Sequence, residues 1–172
     1  MRKKRIRARR LVIIAVMTAL STAGRFIPVI KPVSAVTIIT GMYLGGAAGF
    51  TTGALSALLS NFYFGQGPWT PFQMLAWGLT GLFSHFLSKF LKKNRFMLLA
   101  HGALWGILFS LIMDVWTVIW MNGEWSAAPY LAALLSAVPH TVSYIISNVL
   151  FLALLARPMG EKLERVKLKY GV

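Results

Sequence analysis

Six aromatic residues, two glutamines, two prolines and two glycines fall between Asn61 and Trp77, in the run NFYFGQGPWTPFQMLAW. Aromatic faces and side-chain amides are the groups that hold a flat or bulky polar organic molecule. Gly65, Gly67, Pro68 and Pro71 impose a defined loop shape on them. The stretch reads as an aromatic-lined mouth between apolar runs, and its chemistry is recognition. Catalysis has less to work with. The chain has four acidic residues; Glu161 and Glu164 sit in a basic tail and Glu124 in a polar loop. Asp114 stands inside an apolar block, where a carboxylate needs a partner or a function. It pairs with Arg25 or a histidine, touches a substrate, or is buried in neutral form.

His85, His101 and His140 are 16 and 39 residues apart in apolar blocks, which is not the short spacing of a metal site. His140, Tyr144 and Asn148 recur every four residues and so share one helix face. That face either lines a cavity or bonds another helix. No GxSxG elbow, HExxH pair or GxxxxGK[ST] loop is present. A P-loop ATPase is thereby excluded, and uphill transport would draw its energy from a partner or an ion gradient. With no cysteine, disulfides and zinc–thiolate sites are excluded as well.

The elements that carry these residues follow from composition. The chain has 172 residues, 57% of them hydrophobic and 13% charged, and its mean hydropathy is +0.67. Soluble domains carry about 25% charged residues. Apolar blocks at 11–28, 33–45, 47–61, 70–89, 97–120 and 130–156 predict an all-α integral membrane protein, a compact bundle of six transmembrane helices. The opening MRKKRIRARR and the apolar run after it resemble a signal peptide, but no convincing cleavage site follows, so this is read as a retained first span. The organisation expected is a basic arm over 1–10, a membrane domain over 11–156 and a basic tail over 157–172.

Charge arbitrates the one ambiguous region. Gly41, Gly45, Gly49, Gly53 and Ala57 recur every four residues, and could lie on one face of a single long helix. Net charge is +14, yet the basic residues concentrate before Leu11, between Lys89 and Arg95, and after Ala156. Six spans put sixteen of the eighteen basic residues on one side and leave Arg25 and Lys31 opposite, as the positive-inside rule favours. This predicts a break near Gly45–Gly46, both termini cytoplasmic, and the Asn61–Pro71 mouth outside. It also accounts for the charge without nucleic acid. Trp69, Trp125 and Tyr130 then lie near the outer interface, as an aromatic belt or as ligand groups. Ala15, Ala19 and Ala23 give the first helix a smooth face for close approach by another helix.

Size, the number of apolar blocks, the basic ends and the alanine motif in AVMTA together resemble the substrate-binding S-component of an energy-coupling factor (ECF) vitamin transporter. The segment Gly67–Met74, GPWTPFQM, looks like the cobalamin group of that family. The resemblance implies a subunit of the bacterial plasma membrane that is not an enzyme. It implies capture of a vitamin, here cobalamin as substrate with no cofactor of the subunit's own, followed by toppling within the bilayer. It implies docking of Ala15, Ala19 and Ala23 on a transmembrane coupling subunit that sits on two ABC-type ATPases. For cobalamin, Tyr63, Gln66, Trp69, Phe72, Gln73, Trp77, Asn122 and Trp125 would supply stacking and amide contacts, joined by Asp114, His140 and Tyr144. The alternatives are another vitamin, or a membrane scaffold with no ligand.

Overall fold

A computed structural model of the chain describes residues 2–171, and side chains from Ala8 to Gly171. The basic side chains Arg2, Lys3, Lys4, Arg5 and Arg7 of the predicted arm therefore lie outside the described residues. The described chain is all helix: α1 (Arg2–Gly24), α2 (Val33–Leu44), α3 (Gly46–Phe64), α4 (Thr70–Phe86), α5 (Ser88–Lys93), α6 (Arg95–Asn122) and α7 (Ala127–Tyr170). Six long elements match the six apolar blocks. The seventh, α5, is a short helix that overlaps the basic Lys89–Arg95 segment between the fourth and fifth blocks.

The break between the second and third blocks falls at Gly45. Its φ of 101° and ψ of 163° lie in a region that only glycine occupies readily, so α2 must end there and α3 begin. The helix α2 is 12 residues long, about 18 Å at 1.5 Å per residue, and every residue except Tyr43 is buried. It touches all six other helices and forms the axis of the bundle. A helix apolar on all sides has this position as its natural place. Among the described residues, α6 and α7 are the two helices long and apolar enough to cross a bilayer unaided. The remainder fall short for identifiable reasons: α2 is brief, α4 has 17 residues, and α3 is interrupted by Gly49, Gly53, Ser56 and Ser60.

Small residues let α2, α3 and α4 meet backbone to backbone. A Cβ placed on Gly49 would sit 2.7 Å from the Gly41 Cα and 2.7 Å from the Gly81 carbonyl oxygen. Gly53 abuts the Trp77 backbone in the same way. The glycine series is thus internal packing. Ala15, Ala19 and Ala23 differ: they are exposed on α1, together with Leu11, Val12, Val16 and Leu20.

The ends of the bundle differ in charge. At one end the Arg9 guanidinium donates to the Tyr170 carbonyl (3.3 Å), and Arg10 donates to the Leu44 carbonyl (2.7 Å). Lys92 lies 3.9 Å from the Tyr43 ring centroid and 3.5 Å from Glu164. The starts of α1 and α6, the end of α2, α5 and the last turns of α7 therefore share this basic end. The tail beyond Ala156 is no separate coil; it continues α7 through Pro158 to Tyr170.

Candidate functional site

At the opposite end, one arginine organises the elements. Arg25 follows the last turn of α1. Its guanidinium donates to Ser60 Oγ (2.5 Å) and Asn61 Oδ1 (2.7 Å), near the end of α3. Asn61 Nδ2 in turn donates to Thr70 Oγ1 and Gln73 Oε1 on α4, both at 2.9 Å. Thr70 Oγ1 donates to Gln66 Oε1 (3.1 Å), and Gln66 Nε2 donates to the Leu58 carbonyl (2.9 Å). A single network therefore joins α1, α3, the 65–69 link and α4. The guanidinium also lies 5.1 Å from the Trp77 ring centroid and 5.0 Å from that of Phe64, within cation–π range.

Beyond Arg25 an aromatic row crosses the bundle. Trp77 of α4 stacks on Phe109 of α6, with centroids 4.9 Å apart and an interplanar angle of 18°. Phe109 meets Tyr144 of α7 edge-on at 4.8 Å. Asp114 is 8% exposed, and its Oδ2 has no hydrogen-bond partner among the described residues; neither does the buried Arg25 Nε. Ser110, one turn before Asp114 on α6, accepts from Thr141 Oγ1 (2.6 Å). A spare buried donor thus lies beside Trp77, and a spare buried acceptor stands five residues after Phe109 on α6. Burial pulls the Arg25 pKa down from its ordinary value, with Tyr144 acting the other way. Burial, then the charge of Arg25, lowers that of Lys31.

Several expectations from the sequence are corrected here. The mouth expected over Asn61–Pro71 is largely helix, because α3 runs on through Phe64 and α4 begins at Thr70; only Gly65–Trp69 links them. Gly65, at φ 104°, supplies the stop. Tyr63 is 73% exposed and packs on Phe26 and Phe64 rather than lining an opening. Trp77 is buried, well inside α4. Asp114 pairs with neither Arg25 nor a histidine among the described salt bridges. His140, Tyr144 and Asn148 do not share an inward face: Asn148 is buried and donates to the Gly102 carbonyl (2.9 Å), Tyr144 is half-buried, and His140 is exposed. Each step of four residues advances about 40° around a helix of 3.6 residues per turn, so the stripe drifts outward by about 80° over two steps.

The other predicted residues have local contacts. Trp69 immediately precedes α4 and its ring covers Gly67. Phe72 packs on Trp116 (5.2 Å), which packs on Trp120. Asn122 donates to the Val118 carbonyl on its own helix, and Trp125 packs on Tyr130. Arg25, Ser60, Asn61 and Phe109 were not among the residues expected to bind. A signal existed for the first: Arg25 is one of two basic residues left on the outer side by the charge count.

A model of the ECF-type riboflavin transporter, S component, family matches residues 5–163. The chain belongs to that family. No curated protein and no solved structure matches it. The S component is the substrate-binding subunit of a vitamin transporter and not an enzyme. S components of this class work with a membrane coupling subunit and ATPases, in keeping with the missing P-loop here. The family description names riboflavin where the sequence resemblance pointed to cobalamin.

Proposed function

We propose that this S component captures riboflavin at the outer face of the cell membrane and delivers it inward by tipping against a coupling subunit. The observation that carries the substrate is the family match over residues 5–163. The geometry is compatible in kind. A flavin ring is flat, and its pyrimidine edge alternates carbonyl acceptors with an N–H donor. Arg25 Nε and Asp114 Oδ2 are an unused buried donor and acceptor, and Trp77, Phe109 and the half-buried Tyr144 pack as aromatic rings between helices of this region.

The proposed topology has α1, α2, α3, α4, α6 and α7 crossing the membrane, with both termini cytoplasmic. The collection of Arg9, Arg10, Lys92 and the end of α7 at one end of the bundle supports it, with Arg25 and Lys31 at the other. A helix as short as α2 is then accommodated because protein surrounds it.

Purification in mild detergent tests the substrate directly. A yellow sample with flavin fluorescence is expected, or tight binding on adding riboflavin to colourless protein. A red corrin spectrum, or binding of cobalamin and not riboflavin, overturns the assignment. The docking face has its own test. In Ala15→Trp plus Ala19→Trp, two indoles stand on the exposed side of α1, away from Arg25. Riboflavin binding by the purified subunit should persist, while assembly with the coupling subunit and uptake by cells fail. Normal uptake by this variant would remove α1 from the docking face.

A further inference from the structure

The basic end of the bundle contains a cavity of about 520 Å³, bounded by the end of α2, α5, the start of α6 and the middle of α7. Its walls are of two kinds. One is aliphatic, with Leu91, Leu98, Leu152 and Leu154; the other is cationic, with Lys92, Lys93, Arg95 and Arg157. Two carboxylates, Glu161 and Glu164, also line it, but each already holds one cation: Arg157 at 3.1 Å and Lys92 at 3.5 Å. Among the described salt bridges none involves Lys93 or Arg95, and the Arg95 guanidinium makes only a long bond, 3.4 Å, to the Ala153 carbonyl. The cavity thus has a net excess of two positive charges beside an apolar wall, in a protein of the membrane.

We propose that this cavity binds an anionic phospholipid, its headgroup phosphate held by Lys93 and Arg95 and an acyl chain lying along the leucine wall. Basic pockets between helices at the membrane surface suit this chemistry, since the phosphate meets charge while the chain stays in apolar surroundings. A free phosphate would use only half of the lining. A zwitterionic lipid would bring its own cation against Lys93 and Arg95. The site lies at the opposite end from Arg25, so it is distinct from the riboflavin site, and its existence does not depend on which vitamin is bound.

The test is lipid retention by the purified S component, released from nanodiscs of equal phosphatidylglycerol and phosphatidylcholine and read by native mass spectrometry. The wild-type chain should retain phosphatidylglycerol in preference to phosphatidylcholine by roughly 10- to 30-fold, as an excess of two positive charges meeting a net anionic rather than a net neutral headgroup predicts. Lys93→Gln plus Arg95→Gln should abolish the preference, while Lys162→Gln, outside the cavity lining, leaves it intact. Ala153→Trp, which keeps every charge but fills the cavity, should also abolish it. Equal retention of both lipids overturns the proposal, as does a preference that survives in the double variant. Binding of inorganic phosphate in detergent with no phosphatidylglycerol preference would assign the cavity to a free anion, and overturns it too.

Discussion

Arg25→Ala should lower riboflavin affinity by about 100-fold or more and cost about 3 kcal/mol of stability, the largest effect expected of any single polar side chain here. The guanidinium makes two charge-assisted bonds, to Ser60 and Asn61. Such bonds contribute about 1.5–3 kcal/mol each. Cation–π contact with Trp77 and Phe64 adds about 0.5–2 kcal/mol. Removal also strips Asn61 Oδ1 of its donor. Asn61 holds Thr70 and Gln73, so the register of the 65–69 link against α4 loosens with it. The contributions are not additive, which is why the expected total is nearer the value of one strong bond than their sum. Two measurements separate the roles of Arg25. The melting temperature in detergent reads the network, and flavin fluorescence quenching reads the site. Arg25→Lys keeps the charge but loses the fork, so it should recover stability in part and affinity less. A variant Arg25→Ala that melts normally and binds riboflavin within about threefold of wild type would leave Arg25 without either role.

Most of the architecture was legible from two simple patterns. Apolar blocks located the six long helices, and basic residues located the end of the bundle to which the termini belong. Both are one-dimensional signals that a membrane environment enforces strongly. Gly45 was legible for a further reason: the charge count required a break there, and the backbone supplies one at φ 101°. The family was legible at the level of S component. What failed was the step from residue type to place. Phe62, Tyr63 and Phe64 sit beside glycines and prolines and so read as loop, yet they complete the last turn of α3 because nothing before Gly65 stops it. Trp77 belongs to the same run by sequence, but it is two turns into α4 and meets Phe109, a residue 32 positions later. Stacking across helices leaves no local trace. The substrate guess failed to match the family for the same reason: GPWTPFQM shapes a helix start, with Trp69 immediately before it and Pro71 in the first turn, and that is a folding task rather than a signature of one vitamin. Arg25 shows in the sequence only as a charge and a possible partner of Asp114, because the residues it does bond come from a segment 35 and 36 positions away.

Gly81→Ala should destabilise the bundle by at least about 2 kcal/mol, although the same change in an ordinary helix stabilises by about 1 kcal/mol. The sign reverses because of what the new methyl group meets. Gly81 of α4 faces the Gly49 backbone of α3, and a Cβ there would fall on the Gly49 carbonyl group and 2.7 Å from its Cα. A flexible side chain could swing aside from such a contact; a helix backbone cannot. Relief requires α3 and α4 to separate, and α2 with them, since Gly41 and Gly49 approach the same Gly81 carbonyl. These three helices carry Asn61, Thr70, Gln73 and Trp77, so a shift of a few tenths of an ångström at Gly81 reaches the proposed riboflavin site. The expected result is a lower melting temperature with weakened flavin binding, and Gly81→Val should prevent recovery of folded protein altogether. Ala15→Val, on the outward face of α1 where no neighbour stands in the way, is the matched control and should melt like wild type. Thermal melts of Gly81→Ala and Ala15→Val beside wild type in one detergent, with the yield of folded Gly81→Val, decide the matter. A Gly81→Ala protein as stable as wild type would mean that α3 and α4 do not meet backbone to backbone, and the close packing that positions the proposed riboflavin site would have to be abandoned with it.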